Sequence, residues 1–108
     1  MAEEHTHILP KDPDLRKNIP LHTCLFRYFP KALAAIAYHS KMSNEQHNPG
    51  TEPHWDRTKS ADELDAMLRH SMDQEALPMA WRGLANLEKE IEKHPDLETF
   101  LKTLTYDT

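Results

Sequence analysis

The sequence predicts an all-α domain, a small bundle of four to five helices. Three observations carry this expectation. Apolar residues recur at helical spacing in four separate stretches. Serine, proline and acidic residues stand where most of these stretches begin. No segment alternates apolar and polar residues as a half-buried strand does, and no internal repeat is present.

Residues 1–20 carry Pro10, Pro13 and Pro20 and no periodic apolar pattern, so an extended or disordered arm is expected there. The helical domain is expected over residues 21–108. Leu21, Cys24, Leu25 and Tyr28 fall at i, i+3, i+4 and i+7 and begin it. Pro30 fits the first turn of a continuing helix with Leu33, Ile36 and Ala37 on one face, giving a helical region near 21–41. Met42 to Lys59 reads as a long connection containing the turn formers Asn48, Pro49, Gly50 and Pro53.

Ser60 and Glu63 match the S-x-x-E capping box, which predicts a helix near 60–74. Leu64, Met67, Leu68 and Ser71 share its inward face. A break is expected near Leu77 and Pro78. Ala80, Trp81, Leu84, Leu87 and Ile91 then trace a helix near 79–93 that must stop before Pro95. Pro95, with Asp96 and Glu98 beside it, starts a last helix near 96–104, striped by Leu97, Phe100, Leu101 and Leu104.

Composition narrows the function. The 108 residues suffice for one domain, and only 38% are hydrophobic, so the core is thin and a homo-oligomer is expected. The net charge of -5 disfavours a duplex nucleic acid partner, which needs a basic face. No apolar run approaches the roughly 20 residues that span a bilayer, so no membrane partner is expected. The acidic N-terminus has no hydrophobic signal region, and the single Cys24 can form no internal disulfide. A cytoplasmic location is the simplest expectation, the host cytoplasm if the chain is phage-encoded.

The densest polar cluster runs from His54 to Asp65, HWDRTKSADELD. Its parts suit a nucleotide. Asp62 and Asp65 lie about one helical turn apart, where carboxylates can share a divalent cation. Arg57 and Lys59 can hold phosphate oxygens, and the face of Trp55 can stack on a base. A plainer account competes with this one. Asp62, Asp65, Arg69 and Asp73 fall within roughly a 90° arc opposite the apolar stripe, as a solvated helix face does. Trp55 could simply pin the loop to the core, and Trp81, on an apolar stripe, reads as core. Cys24 also reads as core. His5, His7, His47, His54 and His70 show no zinc spacing. No HD pair and no phosphate-binding G-x-x-x-x-G-K-[ST] loop occurs.

Four pieces in order resemble the small phage-type dATP/dGTP diphosphohydrolases among the MazG-like all-α nucleoside triphosphate pyrophosphohydrolases. They are YFPKALAAIA (28–37), NPGTEPHWDRTKS (48–60), DELDAMLRH (62–70) and AWRGLANLEKEIE (80–92), and from first to last they span about three-fifths of the chain. HWDRTKS followed by D-x-x-D is the most specific of them.

The resemblance implies an oligomeric helical bundle that binds Mg2+ or Mn2+. It implies cleavage of a purine deoxynucleoside triphosphate to monophosphate and pyrophosphate. Asp62 and Asp65 would be the catalytic and metal-binding residues. His54, Trp55, Arg57, Lys59 and Arg69 would bind the nucleotide, with Arg57 and Lys59 near phosphates and His54 and Trp55 near the nucleoside. The general signature E-E-x-x-E followed by E-x-x-D is absent. Two alternatives therefore stand beside the hydrolase: a protein that sequesters a nucleotide without cleaving it, and a helical protein-interaction module.

Overall fold

The structure, a computed structural model, describes residues 8–106. Residues 1–7, with His5 and His7 and the start of the expected arm, lie outside the described residues. The rest is all-helical, with no strand among the described residues. In chain order come α1 (Pro13–Lys17), a π-helical turn (His22–Phe26), α2 (Pro30–His47), α3 (Glu63–Met72), α4 (Ala76–Ile91) and α5 (Leu97–Leu101).

Part of the expected arm is helical. The Asp12 side chain caps α1 by accepting a hydrogen bond of 3.2 Å from the Leu15 amide. The region near 21–41 is two elements, divided before Pro30. Pro30 opens α2 as its first residue, where its missing N–H costs nothing. Cys24, expected in the core, is exposed.

α2 runs six residues further than expected, through Met42–His47. Lys41 and Glu45 pair along its surface at 3.4 Å. Buried Asn44 donates from Nδ2 to the carbonyl oxygen of Thr51 at 3.1 Å, tying the helix end to the chain beyond. The helix stops where Asn48, Pro49 and Gly50 turn the chain. Gly50 sits at φ 79°, and the Thr51 amide donates to the Asn48 carbonyl. That is the third-position geometry a type II turn reserves for glycine.

The expected capping box does not form. α3 begins at Glu63, with Asp62 preceding it and no side-chain cap bond. Ser60 donates instead to Asp62 Oδ1 at 2.8 Å, and the Glu63 side chain turns inward to α4. The break after α3 also falls elsewhere. It spans Asp73–Glu75, where Gln74 takes the left-handed φ of 58° and His70 Nδ1 pairs with Glu75 Oε1 at 2.8 Å. Leu77 and Pro78, expected at the break, lie within the first turn of α4. First-turn amides have no intrahelical partner, so a proline there removes no hydrogen bond. Past α4, Asp96 caps α5 through the Thr99 amide at 2.8 Å. His94 and Phe100 meet edge to face at 5.3 Å across the turn between α4 and α5.

α3 and α4 form an antiparallel hairpin, and α2 lies against α4. The hairpin seam is built on small residues: Ala66 and Ala85 are each 4% exposed. Gly83 faces the Met67 side chain, and a Cβ there would stand in ordinary van der Waals contact, 3.4 Å from Met67 Sδ. Leu64 and Leu68, expected to face inward, are instead about half exposed, as are Leu84 and Leu87. The hairpin spends its inner seam on alanines and a salt bridge, and its leucines look outward. The radius of gyration is 16.1 Å, against about 13 Å for a compact chain of this length. No helix among the described residues is long and apolar enough to cross a membrane.

Candidate functional site

The segment from His54 to Lys59 has no regular structure of its own and is held to α4 by side chains. Trp55 meets Trp81 edge to face, ring centroids 5.8 Å apart. Trp81 donates from Nε1 to Ser40 Oγ at 2.7 Å, so α2, the segment and α4 converge on the two indoles. The Arg57 guanidinium lies 4.2 Å from the Trp55 ring centre and donates through Nε to both oxygens of Glu92 at 2.9 Å. Asp56 closes the turn by accepting from the Thr58 hydroxyl and amide. Those bonds, with the positive charges of Lys59 and His54 nearby, hold its carboxyl below the usual value against a small opposing effect of burial.

Beneath the segment lies the one strongly buried charge among the described residues. Glu63, 4% exposed, accepts a hydrogen bond of 2.6 Å from Arg82 Nη1 through Oε1. Its Oε2 lies 3.0 Å from Lys89 Nζ as an ion pair without hydrogen-bond geometry. Lys89 donates instead to the Ser60 carbonyl oxygen, 5.9 Å from the Trp55 ring centre. Burial pushes the Glu63 carboxyl up, but its two cations outweigh that and hold it below the usual range.

At the head of α3, Asp62 accepts from Arg69 Nη2 at 2.9 Å and from Ser60 at 2.8 Å. The hydrogen bond from Arg69, then that from Ser60, lowers its carboxyl to about 2. Asp65, one turn on, is exposed and makes no ion pair among the described residues. The same holds for the side chains of His54 and Lys59.

Four of the seven expected residues thus fall into two groups, and His54, Lys59 and Asp65 join neither. Trp55 and Arg57 join Trp81, Glu92 and Lys89, while Asp62 and Arg69 pair with each other. Sequence reasoning missed Glu63 as a buried anion, Arg82 and Lys89 as its partners, and Glu92 as the partner of Arg57. A signal existed: Arg82 and Lys89, seven residues apart, flank Ala85 on one face of α4, and two inward cations require an anion.

Beside the tryptophans opens a cavity of about 490 Å3, walled by Ile36, Trp55, Trp81, Leu84 and Ile91 with Ser40, Arg57 and Glu88 as its polar members. A mostly apolar cavity of that size with a few polar groups is what small aromatic ligands occupy. Magnesium and manganese ask for octahedral oxygen ligands. No group of three or more His, Cys, Asp or Glu among the described residues could hold a metal ion, and Asp62 already holds Arg69. The described residues therefore bring together no cage of protein donors for such an ion. No protein-family model, curated protein or solved structure matches this chain.

Proposed function

We propose that the chain binds a nucleotide, a purine deoxynucleoside triphosphate first among the candidates, in the cavity beside Trp55 and Trp81. One observation carries the proposal: Arg57 rests on Trp55 at the rim of an apolar cavity of suitable size. A base would enter against the indoles and Ile36, where stacking is sequence-tolerant. Phosphates would draw Arg57 away from Glu92. That pair is largely solvent-exposed, so exchanging one anion for another costs little. Lys59, without an ion pair among the described residues, would supply the second positive charge.

Metal-dependent cleavage to monophosphate and pyrophosphate is a second reading. It is favoured by Asp65, an exposed carboxylate one turn from Asp62 with no ion pair among the described residues. Its cation would take oxygen ligands from the nucleotide phosphates and water besides Asp65.

Calorimetric titration with dATP, dGTP and the ribonucleotides, with and without magnesium or manganese, tests the proposal. Binding is expected to weaken on the order of tenfold or more with Lys59→Ala and with Trp55→Ala. Tight binding with intact nucleotide at the end supports sequestration. Release of pyrophosphate that stops with Asp65→Ala supports the hydrolase. No heat with any nucleotide would reject both and favour a protein-interaction role.

A further inference from the structure

We infer that the surface running from α1 over the π-helical turn to the outer side of α2 binds single-stranded nucleic acid. Charge carries the first half of the argument. Residues 15–44 contain Arg16, Lys17, Arg27, Lys31 and Lys41 and neither aspartate nor glutamate, in a chain with 18 acidic residues and a net charge of -5. The average charge therefore conceals a basic stretch, and such asymmetry within one chain is the footprint of a polyanionic partner. Arg16, Lys17, Arg27 and Lys31 are exposed and form no ion pair among the described residues. Arg16 donates to the Pro10 carbonyl oxygen at 3.2 Å, which leaves its charge unneutralised.

The aromatic residues carry the second half. Every residue from Pro20 to Ala32 is exposed. Phe26, Tyr28, Phe29 and Tyr38 are 52–67% exposed, and the first three interleave with Arg27 and Lys31. Tyr38 stands two residues before Ser40, which holds Trp81 of α4, and so lies about 200° round α2 from that contact. Lys31, seven residues before Tyr38, is two turns back on the same outer side. Rings that stack on bases, set among cations that hold phosphates, bind single strands without sequence preference. A duplex keeps its base faces covered and would leave the rings unused. A bilayer surface suits one continuous helix with its apolar groups on one side. Here the chain breaks between Lys17 and His22 and again before Pro30, and the rings of Tyr28 and Phe29 cross at 83°. A flexible strand can follow faces that point in different directions. None of these residues lines the cavity beside Trp55 and Trp81, so the inference does not rest on the nucleotide proposal.

Fluorescence anisotropy of the full chain with labelled oligothymidine and oligouridine of about 16 nucleotides tests it. Binding at low salt is expected for at least one of them, and a preference tells DNA from RNA. Affinity should fall as salt rises, with a logarithmic slope of about -3 for four phosphate contacts. Tyr28→Ala and Tyr38→Ala should each weaken binding on the order of tenfold at fixed salt and leave the slope unchanged. Arg27→Gln with Lys31→Gln should bring the slope to about half. Tyr38→Ala places a strong helix former on an exposed helix face, so it decides the role of the rings even if Tyr28→Ala fails to fold. Trp55→Ala should leave the oligonucleotide bound. No binding at low salt would overturn the inference and leave the nucleotide proposal standing. A duplex of the same length bound as tightly as the single strand would overturn it too, because the rings would then contribute nothing. Loss of binding with Trp55→Ala would overturn it by moving the strand to the cavity. Binding to phosphatidylserine vesicles without binding to either oligonucleotide would give the surface to a membrane instead. Displacement of the oligonucleotide by polyglutamate at equal charge would give it to an acidic protein.

Discussion

Glu63 reaches across the hairpin and takes a 2.6 Å hydrogen bond from Arg82, with Lys89 as its second cation. This links the head of α3 to the middle of α4 at a point where water is excluded. The same Lys89 holds the Ser60 carbonyl oxygen, so one buried carboxylate organises both the hairpin and the segment that carries the candidate site.

Replacing Glu63 by alanine should therefore cost about 1–3 kcal/mol. The figure falls below that for a fully buried pair because Arg82 and Lys89 reach solvent at their outer edges. Urea unfolding measures it. A change under about 0.5 kcal/mol would mean that Glu63 behaves as an ordinary surface residue.

Acid should act through Asp62 as well as Glu63. Both carboxyls lie lower in the folded chain than in the unfolded one. Their stabilisation is thus fully present above the unfolded carboxylate range near pH 4. It is lost as the pH falls through the folded values, about 2 for Asp62. Carbon-detected NMR of the side-chain carboxyls should find Asp62 titrating near pH 2, moving up in Arg69→Ala and by less in Ser60→Ala. An Asp62 that titrates at the ordinary value of 3.8 would show that the Arg69 contact does not persist in solution.

Ser60→Ala separates two accounts of the start of α3. Had the capping box formed, the loss would be about 1 kcal/mol. With the hydroxyl turned to Asp62 and no amide to cap, the expected cost is below about 0.5 kcal/mol. Thermal melting at neutral pH distinguishes the two.

Gln74 occupies a left-handed backbone position at φ 58°. A side chain there costs roughly 1–2 kcal/mol, part of which glycine returns as entropy in the unfolded chain. Gln74→Gly should stabilise by about 0.5–1 kcal/mol, and Gln74→Val should destabilise by more. If glycine lowers the melting temperature, the turn does not have this geometry.

Trp55→Ala should lower stability by about 2 kcal/mol, less than for a fully buried tryptophan because Trp55 is half-buried. Trp55→Phe should restore most of it by keeping the edge-to-face contact with Trp81. Fluorescence of the remaining Trp81 reports the loss of its neighbour. Equal stability of the two variants would show that the contact with Trp81 holds nothing in place.

Local punctuation was legible in the sequence. Pro30, the Asn48-Pro49-Gly50 turn and the stop before Pro95 act through one or two residues, and each appears where expected. Pro78 was not, because a proline ends one helix or opens the next by the same chemistry. Glu63 was misread for a related reason: its spacing from Ser60 satisfies a cap, and its true partners are 19 or more residues away. The cluster around Trp55 and Arg57 was visible, but Glu92, 35 residues on, was not. Periodicity also found the stripe of Leu64 and Leu68 without saying what covers it. A stripe shows which residues avoid water, and only the packing of α3 on alanines shows that this chain does not shelter them.

The three residues between α3 and α4 have a consequence for how the molecule opens. The hairpin closes over a short span of chain, whereas Ser40 meets Trp81 across 41 residues and Arg57 meets Glu92 across 35. Short-range contacts form first and long-range ones late. Breaking the late contacts frees α2 and the Trp55 segment while the hairpin survives. Backbone amides of α3 and α4 should then be the last to exchange with heavy water. Those of α2 should exchange earlier, in a partial opening that unwinds less than the whole chain.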